Sequence, residues 1–203
     1  SSYTGPAILV QDNVGGATKA IDFDINGNLN TAELIAYGGS NDVFVATWYD
    51  QSGNGNNATQ VTSTARPKIY DGTTGAVITE NGKPAVSFDG ANDTLQVSVT
   101  SSDIISTNAE NTLLSVMSQD SSSVSNGLVS MANPRYVTYT DFNGTLYYDA
   151  GNNSTIKRSL YTTPTSPPTA QALKRTSVAT TISLCLAYWM STQELLRVTL
   201  YVG

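Results

Sequence analysis

In the stretch DFDINGNLNTAE, residues 22–33, oxygen-bearing side chains fall at alternate positions: Asp22, Asp24, Asn26 and Asn28, with Gly27 inside the run and Glu33 at its end. This spacing satisfies a calcium-loop pattern, in which carboxylate and amide oxygens wrap a hard cation, glycine makes the sharp turn and a terminal Glu closes the shell. Leu29 takes the usual apolar position. The helix that leads into such loops has no counterpart, because NVGGATKAI before Asp22 reads as turn and strand. The same residues also read as a strand entering an Asn26-Gly27 turn, with Glu33 favouring the first turn of a helix. Ca2+ is the one cofactor the sequence suggests.

A second oxygen-rich rim is expected from Asp50 with the loop Gly53, Asn54, Gly55 and Asn56, and from Asp89 with Asp93 around Gly90. Turn acids of this kind also cap backbone N–H groups, and both uses need the same residue types. A third candidate is RYVTYTDFNGTLYYDAG, residues 135–151. A two-residue turn at Asn143-Gly144 would set Phe142 opposite Thr145. Val137, Tyr139, Leu146 and Tyr148 would then face a core, while Tyr136, Phe142, Tyr147 and Asp149 share a Thr-rich outer face with Thr138, Thr140 and Thr145. Sugars present apolar CH patches beside many hydroxyls, so aromatic rings flanked by Thr and Asp suit a glycan. High β-propensity of Tyr, or burial against another subunit, accounts for the same pattern.

Composition removes other chemistries. With no His in 203 residues, imidazole metal sites and Ser-His or Cys-His nucleophile pairs are excluded. A net charge of −6 with ten Lys and Arg is the wrong sign for phosphate backbones, so nucleic acid is not an expected partner. Membrane insertion is not expected either, since no apolar run reaches the roughly 18 residues that span a bilayer, and no leader is readable at the start. The lone Cys185 sits in the apolar run ISLCLAYW and reads as a small buried hydrophobe. Sixteen acids leave a glycosidase conceivable, yet only DFDIN carries acids at alternate positions of a strand, and no catalytic carboxylate pair emerges.

The elements that must hold these residues are mostly strands. Short Val-, Ile-, Thr- and Tyr-rich runs alternate with turn signals at Asn26-Gly27, Asp71-Gly72, Asn81-Gly82, Asp89-Gly90, Asn126-Gly127 and Asn143-Gly144. That spacing predicts an all-β, two-layer antiparallel sandwich with one or two short helices, in a single domain over 1–203. The helices are expected at Asn30–Tyr37, ended by Gly38-Gly39, and at Ser191–Val198, where Ser191 and Glu194 are spaced as a capping box. TTPTSPPT, residues 162–169, reads as a Pro-rich connection. In VFVATWYD the period of two places Phe44, Ala46 and Trp48 on one face and Val43, Val45, Thr47 and Tyr49 on the other.

The segments SSYTGPAILV, DFDINGNLNTAELIAY, FVATWYDQSGNGNNATQ, RPKIYDG, NGKPAVSFDGANDTL and LAYWMSTQELLRV follow one another along nearly the whole chain. In that order they resemble a bacterial and phage module of the concanavalin A-like lectin/glucanase superfamily, a laminin-G-like jelly roll. YDQSGNGN is also similar to a segment of the fungal α-L-arabinofuranosidase B family, whose later catalytic segments and paired cysteines find no counterpart. The resemblance makes Trp48, Asp50, Gly53, Asn54, Gly55, Asn56, Asp89, Gly90 and Asp93 a fold signature. Members carry one more strand before SYTGPA, so the first strand is expected to be absent or supplied by a neighbour. The resemblance implies a non-catalytic carbohydrate-binding or adhesion module outside the cell or on a virion surface, with glycans or cell-surface polysaccharide as partners. The alternative is a structural virion or surface-assembly protein, a head or tail fibre or decoration that packs against copies of itself as a homo-oligomer or larger assembly. A glycoside hydrolase is the third reading.

Overall fold

The computed structural model describes residues 3–98 together with seven strands between residues 111 and 186. The chain divides into two compact units, Ser1–Ser98 and Val99–Gly203. Across the described residues the strands are mostly antiparallel, with one α-helix, and no helix is long and apolar enough to cross a membrane.

The first unit is built on a seven-stranded sheet. Strand β1 (Ile8–Asp12) lies between β2 (Lys19–Ile21) and β3 (Val43–Trp48). The other edge of β3 is shared by β4 (Ala58–Thr59) and β5 (Lys68–Asp71). Strand β6 (Ala76–Val77) pairs with β5, a separate hairpin joins β7 (Thr79–Glu80) to β8 (Lys83–Pro84), and β9 (Gln96–Val97) pairs with β4. Ile8, Val10, Ile21, Val43, Val45, Ile69 and Tyr70 are this sheet's contribution to the buried core.

Helix α1 (Thr31–Gly38) covers that core and matches the sequence expectation within a residue. Asn30 caps it, its side chain accepting the Glu33 N–H at 3.2 Å, and Gly39 ends it at φ 57°, donating its N–H to the Ile35 carbonyl. Leu34 is the buried apolar residue of its inner face, and the Tyr70 hydroxyl donates to the Gly39 carbonyl at 2.7 Å, so helix end and sheet are tied together. The β7–β8 hairpin turns through Asn81-Gly82, both residues at positive φ, as a two-residue turn requires.

Strand β3 departs from strict alternation. Val10 pairs with Val45 but Leu9 pairs with Thr47, so Ala46 is an extra residue in the ladder. A bulge of one residue reverses which face the later side chains take. Trp48, paired with the buried Ile8, therefore packs against the core with Val43 and Val45, while Phe44 lies on the opposite face. The expected grouping of Phe44, Ala46 and Trp48 on one face is corrected accordingly.

In the second unit β11 (Gly127–Met131), β12 (Arg135–Thr140), β13 (Thr145–Asn152) and β14 (Thr155–Thr162) form an antiparallel meander. A three-stranded sheet orders β10 (Asn111–Leu114), β16 (Ile182–Leu186) and β15 (Gln171–Arg175), with β10 and β16 parallel. The expected helix at 191–198 and the Pro-rich 162–169 connection, apart from its first residue, lie outside the described residues.

Candidate functional site

Four paired positions run in a row across the first sheet. Gln11 pairs with Phe44, Phe44 with Lys68 and Lys68 with Ser87. Directly opposed residues share a face, here the one turned away from Val43 and Val45. All four line an open groove of about 700 Å³. Its rim comes from connections: Asn13 and Gly15 after β1, Ser63 and Thr64 in a 3-10 turn, Asp71 at the end of β5, and Asp89 and Asp93 in the loop after Ser87.

The cations in the groove are held by the protein itself. Lys68 Nζ lies 2.7 Å from Asp42 Oδ2 and 5.9 Å from the centre of the Phe44 ring. Lys68, and then the Gly72 N–H, hold the Asp42 carboxyl below the usual carboxylate range. Arg66 donates from Nε to the Gln60 carbonyl at 2.7 Å, from Nη2 to the Val61 carbonyl at 3.1 Å, and from Nη1 to Gln11 Oε1.

The acids hold turns. Asp89 Oδ1 accepts the N–H groups of Ala91, Asn92 and Asp93, which keep its carboxyl below the usual range. Asp93 Oδ2 accepts the Asp89 N–H at 3.0 Å, while burial and then the neighbouring Asp89 charge push the Asp93 carboxyl up. Asp71 Oδ1 accepts from Thr73 and Thr74, and Asp12 Oδ1 from Gly16. Chemically the groove offers one aromatic ring, amide and hydroxyl groups on its floor, and rigidly held carboxylate acceptors, a combination suited to a polyhydroxylated ligand.

The fold-signature residues do not all line the groove. Asp89, Asp93 and the loop around Gly90 (φ 72°) belong to the groove, whereas Asp50 is not part of its lining. Asp50 instead organises its own loop: Oδ1 accepts the Ser52 N–H at 2.8 Å and Oδ2 the Asn56 N–H at 3.0 Å, while the Asp50 N–H donates to Asn57 Oδ1. Gly53 and Gly55 turn that loop at φ 88° and 79°, and the Asn54 N–H donates to Ser52 Oγ. Burial raises the Asp50 carboxyl, but the Ser52 hydroxyl and then the N–H groups of Ser52 and Asn56 outweigh it and leave the group below its ordinary value. Replacing Asp50 by Ala is expected to cost about 1 kcal/mol and to speed amide exchange at Ser52 and Asn56, read by hydrogen-exchange NMR. Unchanged exchange there would remove Asp50 as the organiser.

The calcium-pattern residues form a closed turn. Phe23 bridges Leu29, and Asp24 Oδ1 accepts the N–H groups of Asn26 and Asn28 at 2.9 and 2.8 Å. Gly27 turns at φ 78°, and the Asn28 side-chain amide donates to Asp24 Oδ2 at 3.5 Å. Glu33 pairs with Lys19 at 2.7 Å and accepts the Asp22 N–H at 3.3 Å. Among the described residues no three His, Cys, Asp or Glu side chains converge as a metal site. Asp22 and Asp50 do share a neighbour in Tyr3, whose hydroxyl is pushed up by burial and then by Tyr49, Asp50 and Asp22.

The tyrosine strands pair one residue out of the expected step. Tyr136 pairs with Ala150, Thr138 with Tyr148, Tyr139 with Tyr147 and Val137 with Asp149. The two-residue turn requires Thr140 opposite Tyr147, whereas Thr140 pairs with Leu146. A one-residue slip puts Tyr136 and Tyr147 at register positions of opposite parity. Phe142 lies outside the described residues.

Sequence reasoning missed Gln11, Phe44 and Lys68 as a group, because the row is created by strand pairing. The available signal was the spacing of Arg66 and Lys68 in RPKIYDG, two cations two residues apart at the entry to β5. Comparison with protein-family models, curated proteins and solved structures finds no match for this chain.

Proposed function

We propose that the chain is a non-catalytic carbohydrate-binding or adhesion module of an extracellular or phage-particle surface protein, folded as a concanavalin A-like jelly roll. Its saccharide lies in the groove over Phe44. The observation that supports this is the row Gln11, Phe44, Lys68 and Ser87, which sets an aromatic ring among hydrogen-bonding groups on a rigid sheet. Sites carried on strands hold their geometry without an ordering cost on binding.

A glycan array probed with the purified chain, in calcium buffer and after chelation, tests the proposal. Saturable binding to a defined sugar is expected, weakened about tenfold in Phe44→Ala, the equivalent of about 1.4 kcal/mol for one aromatic contact. Loss on chelation would bring Ca2+ into the site. A blank array from folded protein would remove the lectin-like role.

The second reading is a structural module that packs against copies of itself, favoured by the exposure of Val14, Ile25, Val61 and Phe88. It calls for an oligomer whose mass is independent of concentration in sedimentation, with no sugar affinity.

A further inference from the structure

Resting on the groove reading above, we propose that the groove selects saccharides by charge: amine-bearing glycans are bound best, neutral ones next, and uronate- or sulfate-bearing glycans are excluded. Four carboxylates, Asp12, Asp71, Asp89 and Asp93, line the groove with two cations, Arg66 and Lys68. Both cations are already engaged by the protein. Lys68 is paired with Asp42 at 2.7 Å, and each guanidinium nitrogen of Arg66 already donates to Gln60, Val61 or Gln11. A ligand carboxylate would have to share these cations with Asp42, Gln60, Val61 and Gln11.

The acids are placed the other way. Each fixes a turn through one oxygen, as Asp71 does for Thr73 and Thr74 and Asp89 for Ala91, Asn92 and Asp93, and each has a second oxygen. A groove whose fixed carboxylates outnumber its cations, one of which is already paired with Asp42, rewards ligands that bring hydrogen-bond donors, hydroxyl or ammonium, and disfavours an added like charge. The chain's net charge of −6 adds a long-range field of the same sign.

The test is an array holding oligomers of glucosamine, of N-acetylglucosamine and of galacturonate, beside other neutral and sulfated oligosaccharides. It is run with the full chain and with Asp71→Asn and Asp89→Asn. Asn keeps the Oδ1 acceptor for the backbone, so the turns persist while one charge is lost. Amine-bearing glycans are expected to bind at least about fivefold tighter than their neutral counterparts at low salt, and that ratio is expected to shrink as salt screens the groove. Each Asn variant should reduce the ratio about threefold without abolishing neutral-sugar binding. Preferential binding of uronate or sulfated glycans would overturn the charge inference while leaving the saccharide reading in place, as would a ratio unmoved in both variants. A folded chain that binds no class on the array would overturn the saccharide reading itself.

Discussion

Replacing Leu34 by Ala is expected to destabilise the 1–98 unit by about 3 kcal/mol, a loss typical of a fully buried leucine whose cavity cannot collapse. Leu34 is 0% exposed and belongs to the same core as Ile21, Val43, Val45 and Tyr70. Helix α1 is eight residues long, too short to persist without tertiary packing. It offers the sheet Leu34 and Gly38 as its buried residues. Urea unfolding of the full chain should show a lowered midpoint, and hydrogen exchange should show loss of protection in α1 and in β1 and β3. Protection lost in α1 alone would mean that the helix is an ornament on a core that stands without it.

Gly72→Ala should cost about as much, about 3 kcal/mol, for the opposite reason. A Cβ at residue 72 would stand 2.4 Å from the Asn41 carbonyl carbon and 2.5 Å from the Ser40 carbonyl oxygen. Those are backbone atoms, so no rotamer change relieves the clash and the loops must part. The Gly72 N–H also donates to Asp42 Oδ1 at 2.9 Å, and Asp42 holds Lys68 beside Phe44. The variant is therefore expected to lose stability and to weaken any ligand of the groove. Calorimetric melting gives the first, and a binding isotherm well below the melting range gives the second. Wild-type stability would show that the approach of 72 to 40–41 is not structural.

Acid should destabilise the first unit with a definite sign. The carboxyls of Asp24, Glu33, Asp42, Asp50 and Asp89 are held below their ordinary values by N–H donors, the Ser52 hydroxyl, Lys19 or Lys68. In the window below the ordinary carboxylate range of about 4 the unfolded chain binds more protons than the folded one. The stabilisation is complete above that range and is lost as pH falls through the lowered folded values. Asp93, whose carboxyl is raised, works in the opposite direction and offsets part of the trend. Urea midpoints at falling pH check this, and a midpoint that rises below pH about 4 would contradict it.

Local features were legible in the sequence because neighbours along the chain determine them. The Asn30 cap, the glycine stop of α1 and the Asn81-Gly82 turn need only a few adjacent residues. Trp48 and Phe44 were misassigned because the bulge at Ala46 depends on how β1 pairs, which no strand pattern encodes by itself. Asp22, Asp24 and Glu33 fit a cation loop by spacing, yet Lys19, placed beside Glu33 by the fold, supplies a competing positive charge. Tyr136 and Tyr147 illustrate the same limit, since a one-residue step in strand pairing decides which rows meet. The groove was illegible for the same reason: Gln11, Phe44, Lys68 and Ser87 are 76 positions apart from first to last and meet only through strand pairing.

The central claim is that saccharide binds over Phe44. Amide chemical-shift mapping of the labelled chain, titrated with the strongest glycan found on the array, tests it most directly. The account predicts saturable shifts concentrated at Gln11, Phe44, Lys68 and Ser87. Shifts confined to the Arg135–Thr140 and Thr145–Asn152 strands, with that row silent, would contradict it.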